Sequence, residues 1–238
     1  MLIIFILIVG FVVVMAIASI NKRMARREIE STPFVPADNN KAHSAEDVAA
    51  PFRKKLGFSY NESDKFLHDA KFNWPERMLS IATSVKQSNS SVAVATMLHE
   101  IGHGLQNSEA DKYYVRLFVL MRRSISKAVY LGCVVLALAV ASLFWFSGRG
   151  MGDIAVLVLI IISYIALVLA LSDIVMEYDA THNFALPALR ETGSYSNEEL
   201  AVAEVYLGQC LKTYHCSAAI SFAGVVLLWG CYIAWPLA

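Results

Sequence analysis

The chain has 238 residues, of which 57% are hydrophobic and only 17% charged, with a mean hydropathy of +0.51. Soluble domains are about 45–50% apolar and about 25% charged, so an excess of this size points to a chain that lives partly in lipid. Lys+Arg and Asp+Glu both number 20, a balance that excludes a generally basic nucleic-acid binder and, with the hydrophobicity, intrinsic disorder.

Four long, almost uncharged stretches occupy residues 1–20, 128–147, 154–172 and 213–238. A helix needs about 20 apolar residues to cross a roughly 30 Å hydrocarbon core, so four transmembrane helices are predicted. The first lacks a positive n-region and is followed by Lys22, Arg23, Arg26 and Arg27, the pattern of an anchor whose C-terminal end stays in the cytosol. Residues 21–127 carry 17 of the 20 cations and residues 173–212 carry two, while the turn 148–153 carries only Arg149. The positive-inside rule therefore places 21–127 and 173–212 in the cytosol and 148–153 outside. Their charges are opposed: 21–127 has 12 anions and a net charge of +5, and 173–212 has seven and a net charge of −5. The expected fold class is mainly α: a multi-pass membrane protein with four spans and a small cytosolic α(+β) part. Cys133, Cys210, Cys216 and Cys231 form no C-x-x-C pair and are expected to be free thiols.

In the first cytosolic segment, residues 31–40 hold Pro33, Pro36, Asp38, Asn39 and Asn40 and look like a linker. Ser44, with Asp47 three residues on, reads as a capping box opening a helix whose apolar positions are Val48, Phe52 and Leu56 and which Gly57 ends. A turn is expected at Asn73-Trp74-Pro75 and a short strand over 78–83. Asn89-Ser90-Ser91 reads as the cap of a helix reaching about Leu105.

That helix carries His99-Glu100-Ile101-Gly102-His103. The H-E-x-x-H spacing puts two imidazoles about 40° apart round the axis and about 6 Å apart along it, so both reach one ion. Glu100 lies one residue on, where it can take a proton from a zinc-activated water. A catalytic zinc needs a third protein ligand. Glu109, six residues after His103, holds the position metzincins use, although Gln106 stands where those enzymes have a turning glycine. Glu177, in Glu177-Tyr178-Asp179-Ala180-Thr181, returns to the same side of the membrane after the two-span hairpin. Asp179 would then support the site as an acceptor orienting an imidazole. Asp173 reads as an interface residue and His182 as a surface histidine.

The run Ala95-Thr96-Met97-Leu98-His99-Glu100-Ile101-Gly102-His103-Gly104-Leu105-Gln106, with Leu79-Ser80 before it, Tyr113, Tyr114 and Arg116 after it, and the acidic Glu177–Thr181 motif, resembles the YugP-like membrane zinc metallopeptidases over most of residues 40–215. The resemblance implies zinc, peptidase-type hydrolysis and membrane residence. Two departures touch substrate handling: the family's Asp-His-Tyr-Asp-Pro tract is absent, with only His68-Asp69 nearby, and Asn183-Phe184-Ala185 replaces the Arg-Ala after the acidic motif.

The main expectation is thus a membrane-embedded zinc metallopeptidase in the cell membrane with a cytosol-facing site. His99, His103 and Glu177 hold Zn²⁺, Glu100 is the general base, and a peptide or protein substrate lies along the strand at 78–83 as an added strand. The expected partners are that substrate and the lipid bilayer, with no nucleic acid. Tyr113, Tyr114, Arg116 and His182 are the candidates for oxyanion stabilisation. The alternative is a non-catalytic zinc-binding membrane adaptor or regulatory protein, against which an intact Glu100 counts; a zinc hydrolase of a non-peptide amide would use the same residues.

Overall fold

The computed structural model describes residues 2–39, 42–109 and 152–234, which are mainly helical with one small sheet. Helix α1 spans Leu2–Ser31, α2 Ala45–Leu56, α3 Thr83–Gln87, α4 Ser91–Glu109, α5 Gly152–Tyr178, α6 Leu186–Glu191 and α7 Asn197–Ala234. Strands β1 (Ser59–Glu62), β2 (Lys71–Asn73) and β3 (Met78–Ile81) form the sheet, and a π-helical turn, Asp179–Ala185, joins α5 to α6. The chain divides into two compact units: the described parts of Met1–Lys22, Leu120–Asp173 and Tyr214–Ala238, and those of Arg23–Val119 and Ile174–Thr213.

In the first unit, helices rich in apolar residues expose much of that surface; Phe5, Ile6, Val12, Ile17 and Phe222 are each more than half exposed. Gly230 gives α1 room to pack against α7 through Leu7, whose side chain fills the space a Cβ there would need. Lys22 Nζ donates to Ser217 Oγ at 2.8 Å, and Trp229 Nε1 donates to Ser163 Oγ at 2.9 Å. Among the described residues three helices are long and apolar enough to cross a membrane, Phe5–Ser31, Ile161–Glu191 and Asn197–Gly230, where the sequence pattern predicted four. The predicted span 128–147 lies outside the described residues. The other limits move because helices do not stop where hydropathy does: α1 continues through the polar run to Ser31, and the helix that contains 213–234 starts at Asn197.

In the second unit, α2 begins as its sequence dictates. Ser44 Oγ accepts from Asp47 N–H, Asp47 reaches back to the Ser44 N–H, and Gly57 ends the helix at φ 65°, a left-handed conformation that favours glycine. The expected turn lies between β2 and β3, closed by Arg77 N–H donating to Trp74 O, with Arg77 itself at φ 46°. The predicted strand ends at Ile81 instead of residue 83, because Thr83 already starts α3.

Sheet order is β1-β3-β2, with β3 parallel to β1 and antiparallel to β2. The strand expected to receive a substrate is therefore the central one; both of its edges are taken, and the added-strand expectation for 78–83 is withdrawn. Helix α4 is the core of this unit: Val92, Ala93, Val94, Ala95, Met97, Leu98 and Ile101 are all buried, packed with Leu79, Ile81, Val85, Leu186, Leu189 and Leu207. The predicted cap tripeptide ties other segments to the head of α4: Asn89 Oδ1 accepts from Ala37 N–H, Asn89 O from Tyr195 Oη, and Ser91 Oγ donates to Glu199 O.

Candidate active site and metal centre

A helix surrounded by apolar side chains leaves no water for the polar groups it carries, so its buried histidines and carboxylate need partners. His99 and Glu100 are 6% and 9% exposed. His99 Nε2 and His103 Nε2 lie 3.2 Å apart, as the four-residue spacing demands. Glu177, from the last turn of α5 and 5% exposed, faces both: Oε2 is 3.1 Å from His99 Nε2 and Oε1 is 3.4 Å from His103 Nε2.

What lets α5 come so near is Gly102. A Cβ there would lie 3.1 Å from Phe184 Cδ1 and 3.2 Å and 3.3 Å from Ala180 Cα and Cβ, so only glycine lets α4 meet the π-helical turn at this distance. Such wide turns recur at functional sites, and this one follows Glu177 by two residues and carries Thr181, which reaches back to the same helix.

The outer nitrogens of both rings are also engaged. Gln106 Nε2 donates to Met176 O at 2.7 Å and to Asp179 Oδ2 at 3.1 Å, which turns Gln106 Oε1 towards His103 Nδ1 at 3.1 Å. An amide oxygen can only accept, so His103 Nδ1 carries a proton, and Nε2 is the nitrogen that faces His99 and Glu177. His99 Nδ1 lies 3.1 Å from Thr181 Oγ1, a hydroxyl that holds the ring in place from its outer side. Asp179 Oδ1 accepts in turn from Asn183 Nδ2. Asp179 thus reaches the imidazole through Gln106, a relay the sequence reading assigned to Asp179 alone. Gln106 and Thr181 themselves were not singled out; the available signal was that Glu177 and Thr181 are four residues apart, and Gln106 three beyond His103, on helical faces.

Glu100 stands differently. Its Oε2 accepts from the Phe72 N–H at 2.8 Å. Burial, the largest influence, pushes its carboxyl above the usual carboxylate range, a shift that Glu177 reinforces and the two imidazoles oppose. For His103, burial disfavours the charged form, but the Glu177 carboxylate outweighs it and raises the imidazole to about 9.

His99, Glu100 and His103 each offer a ligand atom within 4.8 Å of the others. Zinc with ligands at about 2.0–2.1 Å in tetrahedral geometry requires ligand atoms about 3.3 Å apart. His99 Nε2 and His103 Nε2 are 3.2 Å apart, and the Glu177 carboxylate meets them through different oxygens, Oε2 at 3.1 Å and Oε1 at 3.4 Å, so two imidazole nitrogens and a carboxylate are grouped at spacings that suit that ion. Glu109 is placed otherwise. Helix α4 continues through it, so its Cα sits about 240° round the axis and about 9 Å along from that of His103, where a metzincin-type ligand would need the chain to have turned. Tyr113, Tyr114 and Arg116 lie outside the described residues. The His182 ring lies against Tyr178, with centroids 4.5 Å apart, and Asp173 sits one turn before Glu177.

An H-E-x-x-H helix, with a carboxylate from a later helix closing on both imidazoles, forms a donor set that could hold a metal ion. The chain belongs to the family described as "Putative neutral zinc metallopeptidase", whose model matches residues 1–231. No curated protein and no solved structure matches the chain.

Proposed function

We propose that this protein is a multi-pass membrane zinc metallopeptidase that hydrolyses peptide bonds on the cytosolic side of the cell membrane. The observation that carries the proposal is the His99–His103–Glu177 triangle beside Glu100. In this reading His99, His103 and Glu177 hold the ion, Gln106 fixes the protonated nitrogen of His103, Thr181 positions the His99 ring, and Glu100 is the general base. Bound zinc supplies Lewis acidity, lowering the pKa of a water and polarising the scissile carbonyl. Glu100 takes the proton of the attacking water as the new C–O bond forms, then delivers it to the leaving nitrogen as the C–N bond breaks. Its buried, raised carboxyl suits both directions of that transfer. The same proposal includes the topology, with 21–127 and 173–212 cytosolic and 128–147 a further span, and the partners, the bilayer and a peptide or protein substrate with no nucleic acid.

The test is metal analysis of the purified full-length protein, followed by cleavage of labelled casein with and without a chelator. One zinc per chain and chelator-sensitive cleavage are expected. One zinc with no hydrolysis would favour the adaptor, and no zinc would refute the site.

A further inference from the structure

We infer that Phe72 is a positioning residue for Glu100, acting through its main-chain N–H; the inference rests on the hydrolase reading above. Strand β2 has three residues and pairs with β3 in the register Lys71↔Ser80, Phe72↔Leu79 and Asn73↔Met78. Along an antiparallel strand, successive residues turn their N–H and C=O alternately towards the partner and away from it. Since the Phe72 N–H donates to Glu100 Oε2 at 2.8 Å, Phe72 is the residue that faces away from β3, and Lys71 and Asn73 are the two that face it. With Oε2 held, the other oxygen of Glu100 is the one left for the travelling proton.

The side chain of Phe72 provides a second fixed point one helical turn away. A Cβ on Gly104 would lie 3.0–3.1 Å from the Phe72 ring, so the ring occupies space that only a glycine leaves, four residues after Glu100 on the same face of α4. Phe58 and Trp74 hold the ring from other sides, with centroids at 5.5 and 6.4 Å. One residue therefore clamps β2 to α4 at both Glu100 and Gly104, the ring setting the register and the N–H setting the carboxylate. A carboxylate that must both receive and return a proton gains from a fixed rotamer, because near-attack geometry is lost within about 1 Å.

The two contributions can be separated. Phe72→Ala removes the ring and keeps the N–H; Phe72→Pro removes both. Proline is tolerated at an edge position whose N–H makes no ladder bond. In the full-length zinc-loaded chain, with labelled casein as the probe, Phe72→Pro is expected to have a kcat about ten- to a hundredfold below that of Phe72→Ala, at equal KM and equal zinc content. Equal kcat in the two variants overturns the inference. Single-residue amide exchange gives a readout independent of activity: the Phe72 amide should exchange about tenfold or more faster in Glu100→Ala than in the unaltered chain. Equal exchange overturns the inference even if Phe72→Pro fails to fold. Failure of the unaltered chain to cleave casein would count against the hydrolase reading, while the exchange comparison still decides whether the N–H is bound to Glu100.

Discussion

Substituting Gly102 by alanine tests the geometry on which the proposed metal centre depends. A new Cβ would meet Ala180 Cα at 3.2 Å and Ala180 Cβ at 3.3 Å, with Phe184 Cδ1 at 3.1 Å. Phe184 can rotate, but the Ala180 backbone cannot. Ordinary carbon contacts lie at about 3.5–4.0 Å, so α4 and the π-helical turn must part by roughly 0.5 Å. Glu177 precedes that turn and Thr181 lies in it, so the 3.1 and 3.4 Å edges to the imidazoles lengthen by a similar amount, more than the roughly 0.2 Å tolerance of a metal site. Overpacking of this kind costs about 1–3 kcal/mol, partly offset by the roughly 0.5–1 kcal/mol that alanine gains over glycine in a helix. Zinc affinity, measured by competition with a chromogenic chelator, is expected to fall about tenfold or more, with the thermal midpoint of the zinc-loaded protein lowered. Gly208→Ala is the control: nothing lies within 4 Å of its added Cβ, so it should keep zinc and gain stability. Unchanged zinc affinity in Gly102→Ala, with a raised midpoint, would refute the account of Gly102 as the contact that admits the Glu177 helix end.

Glu100→Gln should retain one zinc per chain and lose hydrolysis by about 10²–10⁴-fold in the casein assay, since the amide cannot carry the proton. Glu177→Ala should lose zinc in metal analysis whereas Glu109→Ala keeps it; the reverse pattern would overturn the ligand set. Gln106→Leu cuts the bridge from His103 to Met176 and Asp179 and should weaken zinc binding about 10–100-fold by chelator competition. The pH dependence follows from His103, which Glu177 holds at about 9 against the opposing effect of burial. Below that pH the metal-free site carries the His103 proton, so zinc uptake at pH 7 should release about one proton, measured by calorimetry in buffers of different ionisation enthalpy. Because the folded value is above the ordinary imidazole value of about 6.5, the same proton stabilises the metal-free fold fully below that value. Thermal scans of the chelated protein should show this contribution lost as pH rises towards about 9.

Hydropathy was enough to locate three helices long and apolar enough to cross a membrane, because such an apolar run is a property of one contiguous stretch of sequence. The same holds for the Ser44 capping box and the Gly57 stop, whose physics is complete within a few residues. The proximity of His99 to His103 is likewise local, being fixed by one helical turn. Other features needed the tertiary structure because they couple residues far apart in the chain. The net charges of 21–127 and 173–212 are opposed, but the ion pairs Arg26–Asp69, Lys86–Glu62 and Arg190–Glu204 each lie within one segment, and the pairing that crosses between them is Glu177 with the two histidines. The two segments share an apolar core of α4 with α6 and α7, with Glu177 turned onto the histidines. That β3 is central, that Phe72 donates to Glu100, and that Gln106 and Thr181 hold the rings all depend on strand order and on two glycines, Gly102 beside Ala180 and Gly104 beside the Phe72 ring. A sequence read alone records such a glycine only as a weak helix former, because the close approach that requires it is supplied by the partner across the contact.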